Sequence, residues 1–457
     1  MSDPRPEVLP VVLCGGSGSR LWPLSQTYRP KPLLPLVLPN QTLLGETLER
    51  LEPVGLPWLV AGRVHREQLR AAHPEVPLLV EPSPRGTAAA ILAAAVWAGE
   101  RVLWVCPADH VVGDGAGLVR AVQLGLTAAQ HRVVVFGIRP DRPATGFGWI
   151  ALGQRLHEGV HALRRFEEKP SRDRAEALLD GGEHVWNAGM FLFYAPRLLE
   201  LAERVVPELV ATVREAVERG TESGRELRLD AEAFARCHAP SFDVAIMERL
   251  GPDEAAVVPV DVGWDDLGSW DALHRVGNHD AAGNVVLGRV TQRGCRDSVL
   301  VSDGPPVTVA GLEEVVVAAS PEGVLVMPRA WSEAVRDLEH PGLERRPWGG
   351  FARLDRGPGY QVKRLVVDPG QRTSLQFHHH RAERWTVVSG TAQVHLDDTV
   401  LTLAPGDHVV VPRGAVHRLA NPGDEPLVVL ELQTGSYLEE DDIVRLTDDY
   451  GRAPTET

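Results

Sequence analysis

Residues 10–36 read PVVLCGGSGSRLWPLSQTYRPKPLLPL. The apolar run ending at Leu13 has the composition of a buried strand, and the Gly/Ser stretch from Gly15 to Ser19 turns the chain sharply at its C-terminal end. In an open α/β sheet that edge is where ligands bind, and a glycine-rich turn leaves backbone N–H groups free to face an anion. Arg20 closes the turn, and Lys31 stands between two prolines that fix the backbone around it. A glycine cluster alone reads equally well as a tight turn with no ligand. Two cations beside it point to a polyphosphate. The residue order is neither G-x-x-x-x-G-K-[ST] nor G-x-G-x-x-G, which sets aside the P-loop and the dinucleotide fingerprint.

A chain of 457 residues exceeds one ordinary core, so two or three domains are expected. No apolar run approaches the roughly 20 residues of a membrane helix, so no membrane partner is expected. The net charge of −15 argues against nonspecific nucleic-acid binding, because a polyanion would be repelled. Phosphates must then be held locally, by a few Arg and Lys residues, backbone amides and a metal ion. Cys14, Cys106, Cys237 and Cys295 are scattered with no C-x-x-C spacing, and no basic leader precedes the first apolar segment. The expectation is a reduced, cytoplasmic protein whose cysteines fill cores.

Residues 8 to about 275 alternate short apolar runs (WLVAG, PLLVE, RVLWVC, RVVVFGI) with segments of helical length such as TAAAILAAAVWAG. That pattern predicts an α/β, Rossmann-like fold, a mostly parallel sheet with helices on both faces. From about 284 to 328, short strands at turn-marked intervals predict a small β-rich module, which offers a face for pairing in a homo-oligomer. After a polar segment, alternating strands up to about 435 predict a compact barrel or sandwich. The expected division is 1–280 for the α/β domain, 281–330 for the connecting module, 331–346 for a linker and 347–457 for the barrel.

Several motifs carry candidate chemistry. WVCPADHVV sets Asp109 at the end of an apolar strand, where a carboxylate can reach Mg²⁺ bridging two phosphate groups; a helix cap is the competing reading. VGWDDLGSW supplies Asp265 and Asp266 as a second acidic pair, or a solvated turn. FEEKP puts Glu168 and Lys169 at a strand end, either as ligand contacts or as a surface ion pair of little worth. WNAGMF offers Asn187, whose amide both donates and accepts, beside Gly189, where backbone can approach a ligand closely. Gly146 and Gly148 of TGFGWI have a similar reading.

Taken in order, the opening stretch, EPSPRGTAAA from Glu81, PADH from Pro107, TGFGWI, FEEKP, WNAGMF and VGWDDLGSW resemble the motifs of the sugar-1-phosphate nucleotidyltransferases. The Leu-Trp-Pro-Leu-Ser continuation resembles the mannose-1-phosphate guanylyltransferases within that group. The resemblance implies catalytic roles for Arg20 and Lys31, and nucleotide contacts from Leu13, Gly15, Gly16, Ser17, Gly18, Ser19, Glu81, Arg85, Thr87 and Asp109. It implies sugar-hydroxyl contact by Glu168, sugar-phosphate contact by Lys169, and substrate contacts at Gly146, Gly148, Asn187 and Gly189. Mg²⁺ would be held by Asp109 and by Asp266, which stands two places before glycine as the family's aspartate does. Gly86 departs from the family's usual Asn, so no side-chain contact is expected there. The implied reaction joins GTP and mannose 1-phosphate into GDP-mannose and pyrophosphate.

The C-terminal third argues separately. In PGQRTSLQFHHHRAERWTVVSG and PGDHVVVPRGAVHRLAN, the residues Gly370, Gln376, His378, Glu383, Gly390, Gly406, Pro412, Gly414, His417 and Asn421 resemble the two-part pattern of the cupin barrel, with Gln376 where many cupins carry histidine. Gln376 and His378, two apart on a strand, share a face, and a barrel brings Glu383 and His417 to meet them. This donor set suits Zn²⁺ or another divalent transition metal. His379 and His380 compete as ligands: by parity His379 faces away and His380 shares the metal side. RRPWGGF from Arg345, QFHHHRAERW and YLEEDDIVRLTDDYGR resemble the type II phosphomannose isomerases, which interconvert mannose 6-phosphate and fructose 6-phosphate. Arg384 replaces their usual His and is expected to alter the site's charge. Lys363, Arg381 and Arg445 are candidate phosphate or substrate contacts, with surface solvation the favoured competing reading for each.

Three readings follow: a bifunctional enzyme, a guanylyltransferase with a structural barrel, and a non-catalytic sugar-phosphate or nucleotide sensor. Arg20, Lys31, Asp109 and Asp266 together count against the third.

Overall fold

Alternate residues of the strand Val8–Leu13 serve two different cores, as a pleated strand with both faces covered must. Val11 joins Leu103, Val105, Val133 and Val135 on one face, while Val12 joins Val102, Trp104, Val134 and Phe136 on the other. The computed structural model describes residues 7–15, 19–26, 29–38, 40–238, 241–338 and 344–449. Gly16, Ser17 and Gly18 of the opening turn, and Tyr450 to Arg452 of the tail motif, lie outside the described residues. The chain divides into two compact units, Met1–Asp337 and Leu338–Thr457.

The first unit is built on an eleven-stranded sheet. Leu78–Glu81, Trp58–Gly62, Val8–Leu13 and Val102–Pro107 run parallel in that order, with the glycine turn at the C-terminal end of the third. His184–Tyr194 then enters antiparallel and separates them from a second parallel pair, Val133–Ile138 and Ala255–Val260, so the sheet is mixed. Helices cover both faces. Thr87–Ala98 is apolar all round because it is enclosed by the sheet on one side and the helices Ala195–Val205 and Pro207–Glu218 on the other. Gly86, which precedes it, has φ 84° and ψ 162°. Only glycine enters that region at little cost.

Strands Val285–Arg293, Val299–Ala310 and Val315–Ser320 are parallel neighbours, and Gly323–Pro328 closes the small sheet antiparallel. Its inward residues, among them Val285, Val299, Val301 and Val316, share one apolar core with Leu21, Trp22, Leu24 and Leu34 of the opening stretch. The module is therefore packed on the opening stretch. The linker expected at 331–346 is corrected here. Residues Arg329–Asp337 form 3₁₀ turns that bury Val335 completely in that same core, and Glu344–Arg346 is a strand paired with Gly349–Gly357 in the second unit. Val335→Ala is expected to destabilise the first unit by about 2 kcal/mol, read as a lowered melting temperature; a linker residue would show no change.

The second unit is two antiparallel sheets of six and five strands around Phe351, Leu365, Trp385, Leu419 and Val429, a cupin barrel. Alternation sorts its side chains. Arg381, Glu383, Trp385 and Val387 point inward from Arg381–Ser389, as do Leu427, Val429, Glu431 and Gln433 from Leu427–Gly435. One end of the interior is thus apolar and the other polar. The tail strand Ile443–Thr447 pairs with Leu375–His378.

Candidate functional site

Pro30 and Pro32 hold Lys31 in a short 3₁₀ turn, and its side chain is almost fully buried. Its Nζ lies 2.8 Å from Asp109 Oδ2 and donates to the Asp266 carbonyl at 2.6 Å. One cation thus joins the strand end after Val102–Pro107 to the VGWDDLGSW segment. Burial alone would raise the Asp109 pKa, but Lys31 and His110 reverse this and hold it below the usual carboxylate range. His110 is itself pulled below its ordinary value by burial, and its ring lies under Gly189.

The acidic pair divides its work. Asp265 is buried, accepts from Leu267 N at 2.8 Å and from Arg275 Nη2 at 2.9 Å, and so braces the segment. Asp266 faces the other way; its carboxylate accepts from Gly268 N, and a Cβ added at Gly268 would meet both Asp266 Oδ2 at 2.4 Å and Arg20 Nη2 at 3.2 Å. Arg20 and Asp266 therefore converge on one small cradle. Asp109 and Asp266 offer an all-oxygen donor set of the kind Mg²⁺ takes, with Lys31 engaging one oxygen of Asp109.

The remaining first-unit candidates have the following surroundings. Leu13 accepts from Ala108 N at 3.1 Å, and Gly15 is exposed with open space where a side chain would stand. Ser19 begins the 3₁₀ turn that carries Arg20. Glu81, at the end of Leu78–Glu81, is buried, and burial pushes its carboxyl up to about 7. Arg85 Nε donates to Ser83 Oγ at 3.3 Å. The Thr87 hydroxyl accepts from Phe242 N at 2.9 Å, a brace within the fold.

Gly148 faces Glu168 Oε2 so closely that an added Cβ would stand 2.7 Å away, while Gly146 borders open space. Lys169 is exposed, has φ 46°, and pairs with Glu168 at 2.8 Å. The sequence leaves Asn187 free to bond a sugar hydroxyl; in the structure its amide donates to Asp243 Oδ1 at 2.7 Å and accepts from Gly189 N at 2.9 Å, so both functions are used internally. Asp243 was missed. It is buried, and that burial with the nearby Glu168 charge raises its pKa to about 6. The signal was SFDVA, in which Ser241 caps a short helix and turns Asp243 toward WNAGMF.

In the barrel, His378 Nε2 is 3.0 Å from Glu383 Oε1, and His417 Nε2 is 3.7 Å from Glu383 Oε2. His417 Nδ1 contacts the Ala415 carbonyl at 2.9 Å, which sets its proton there, and Nε2 is left without a hydrogen-bond partner among the described residues. His378 Nδ1 similarly faces the Asp442 carbonyl. Two imidazoles and a carboxylate within 4.8 Å of one another fit a divalent metal. Gln376 lies opposite His417 on the paired strand, its amide oxygen accepting from Ser374 Oγ at 2.7 Å.

Two expectations are corrected here. The strand ends at His378, and Asp442 accepts from the backbone N–H groups of His379 and His380; the chain bends and both side chains are exposed, so parity stops at His378. Arg384 faces outward from its strand and leaves the charge of the interior unchanged.

Glu431 and Gln433 were also missed, although LVVLELQTG sets them on the apolar face of their strand. Trp385 Nε1 donates to Glu383 Oε2 and Glu431 Oε1, both at 3.1 Å, and Gln433 Nε2 bonds both carboxylates. Burial tends to raise the Glu383 pKa, but His378, His417 and Arg381 hold it well below its usual value. Burial and the Glu383 charge push Glu431 up to about 8. Lys363 bonds Glu440 and lies 4.4 Å over the Phe351 ring; with Arg381 and Arg445 it lines the same cavity.

Comparison with known proteins agrees with this division. The family model described as Nucleotidyl transferase matches residues 9–283, and that described as Mannose-6-phosphate isomerase C-terminal matches 338–448. Xanthan biosynthesis protein XanB of Xanthomonas campestris pv. campestris (strain B100) is 42% identical, covering 98% of this chain and 99% of its own. Mannose-1-phosphate guanylyltransferase of Escherichia coli K12 is 39% identical over the same shares. A Thermus thermophilus structure described as a mannose-1-phosphate geranyltransferase superposes with a TM-score of 0.65 at 35% identity, covering 72% of this chain and 98% of that one. The chain belongs to the nucleotidyl transferase family, within the group that carries a mannose-6-phosphate isomerase C-terminal domain.

Proposed function

We propose that the first unit transfers GMP from GTP to mannose 1-phosphate. A phosphate oxygen of the sugar attacks the α-phosphorus in line, and the α–β bond breaks to release pyrophosphate. The nucleophile is already ionised at neutral pH, so no general base is needed. The observation that carries this reading is buried Lys31 tying Asp109 to the Asp266 segment, with Arg20 at the same cradle. Arg20 and Lys31 neutralise the triphosphate, the glycine turn from Gly15 through Gly16, Ser17, Gly18 and Ser19 would supply backbone amides, Glu168 contacts sugar hydroxyls, and Lys169 orients the attacking phosphate. Mg²⁺ held by Asp109 and Asp266 supplies further charge neutralisation when bound. Four buried free cysteines accord with a reducing cytoplasmic setting. Among the described residues no helix is long and apolar enough to cross a membrane.

The base is proposed to be guanine, with Glu81 as the carboxylate that would read it. Guanine presents two adjacent donors, N1–H and the 2-amino group, and an ionised carboxylate accepts both. Because the free carboxyl titrates at about 7, binding to its ionised form predicts a KM for GTP that falls roughly tenfold from pH 6 to pH 8. Glu81→Gln should flatten that profile and reduce preference for GTP over ITP, which lacks the 2-amino group. An unchanged profile in the variant removes Glu81 from base recognition.

The second unit is proposed to interconvert mannose 6-phosphate and fructose 6-phosphate. His378, Glu383 and His417, with Gln376 alongside, would hold a divalent metal such as Zn²⁺, which supplies polarisation of the substrate carbonyl when bound. Arg381 and Lys363 give the cavity a cationic lining for a sugar phosphate. One observation favours a metal-free structural barrel: Arg381 Nη2 lies 3.4 Å from His378 Nε2, the atom that a metal would need. Metal analysis of the purified full chain separates the two, with about one equivalent expected for the isomerase.

A further inference from the structure

The opening stretch supplies Arg20 and Lys31, yet the residues flanking both cations are fastened to the β-rich module. Immediately after Arg20, the chain turns at Leu21, with Leu24 N and Ser25 N both donating to the Leu21 carbonyl. The carbonyls inside that turn are taken from outside it. Trp270 Nε1 donates to the Trp22 carbonyl at 3.3 Å, and Ser320 Oγ donates to the Pro23 carbonyl at 3.1 Å. Gln26 Nε2 provides a second, local bond to the Pro23 carbonyl. The Trp22 ring lies against Gly323, where an added Cβ would come within 2.8 Å of its Cζ2.

A second fastening lies on the other side. Arg29, separated from Lys31 only by Pro30, forms an ion pair with Asp303 of Val299–Ala310. Proline limits the backbone between them, so restraint at Arg29 is transmitted to Lys31. The apolar face beneath these contacts is continuous, since Leu21, Trp22 and Leu24 share a core with Val301, Val316 and Ala318. Ser320 itself is buried, and its hydroxyl also accepts from Glu322 N at 3.1 Å, which sets the direction of its donated proton.

We infer that Ser320 and Asp303 are positioning residues for GTP: the β-rich module holds the triphosphate loop at two points, one beside Arg20 and one beside Lys31, in the conformation that receives the nucleotide. The module touches no reacting atom in this account. Transition-state charge is stabilised by cations already in place, and a loop free to wander would have to be ordered at each binding event. This inference rests on the transferase reading proposed above. Wild-type turnover is therefore its control: absence of GDP-mannose formation by the unmodified full chain refutes that reading, whatever the variants do.

The test is steady-state kinetics on the full-length chain with Ser320→Ala, Gly323→Ala and Asp303→Asn, together with melting curves. Ser320→Ala is expected to raise the KM for GTP about tenfold while leaving that for mannose 1-phosphate within twofold. Gly323→Ala, which pushes on Trp22, is expected to do the same. Asp303 is exposed, so Asp303→Asn should leave the fold intact and raise the KM for GTP about threefold, an effect that high salt abolishes in the wild-type comparison by weakening the same ion pair. A general loosening of the fold would lower the melting temperature without separating the two substrates. GTP parameters unchanged in Asp303→Asn and in folded Ser320→Ala would overturn the inference. Equal changes in both substrates' KM would overturn it as well.

Discussion

Lys31→Ala is expected to lower kcat/KM for GDP-mannose formation about a thousandfold, measured as pyrophosphate release from GTP and mannose 1-phosphate. The magnitude is that of a buried cation removed from a site where phosphate charge must be balanced. Lys31 has no substitute, because Arg20 is more exposed and its guanidinium also contacts Glu333 at 3.5 Å. The variant also leaves the half-buried Asp109 without its ion-pair partner, which costs stability as well as activity. The rate must therefore be read beside a melting curve, and retained structure with retained turnover would refute the assignment. Excess Mg²⁺ should not rescue the variant, since the lysine also ties Asp109 to the Asp266 carbonyl.

The second large effect lies in the other unit. His417→Ala is expected to reduce bound metal to a small fraction of an equivalent and isomerase turnover by at least about a hundredfold, with guanylyltransferase turnover unchanged within twofold. Its Nδ1 is fixed by the Ala415 carbonyl, so the unpartnered Nε2 can act only toward the site. Full metal content in the variant would show that the metal is held elsewhere. Wild-type protein that makes GDP-mannose but contains no metal, and isomerises nothing with added Zn²⁺, Co²⁺ or Mn²⁺, would identify a structural barrel with Arg381 in the metal's place.

The strands and the fixed position of Lys31 were legible because their signals are local. Two-residue alternation sorted Val11 from Val12, and prolines on either side of Lys31 announced a fixed cation. Asp265 and Asp266 could be told apart only through a resemblance, since the ion pair of Asp265 comes from Arg275, a helical turn and more away. What escaped the sequence reading depends on distant partners. Asp243 acquires its meaning from Asn187, 56 residues away, and Glu431 from Glu383 across two paired strands. His380 illustrates a failure of extrapolation: parity holds only while the strand lasts, and Asp442 ends it at His378. The segment 331–346 read as linker because it is polar overall, while buried Val335 binds its first part to the first unit. Composition averages over such a residue.

Phosphorus NMR of the purified full chain with GTP, mannose 1-phosphate and Mg²⁺ tests the central claim most directly. The account predicts loss of the GTP and sugar-phosphate resonances with growth of GDP-mannose and pyrophosphate in equal amounts. GDP with orthophosphate, or no change in any resonance, would contradict it.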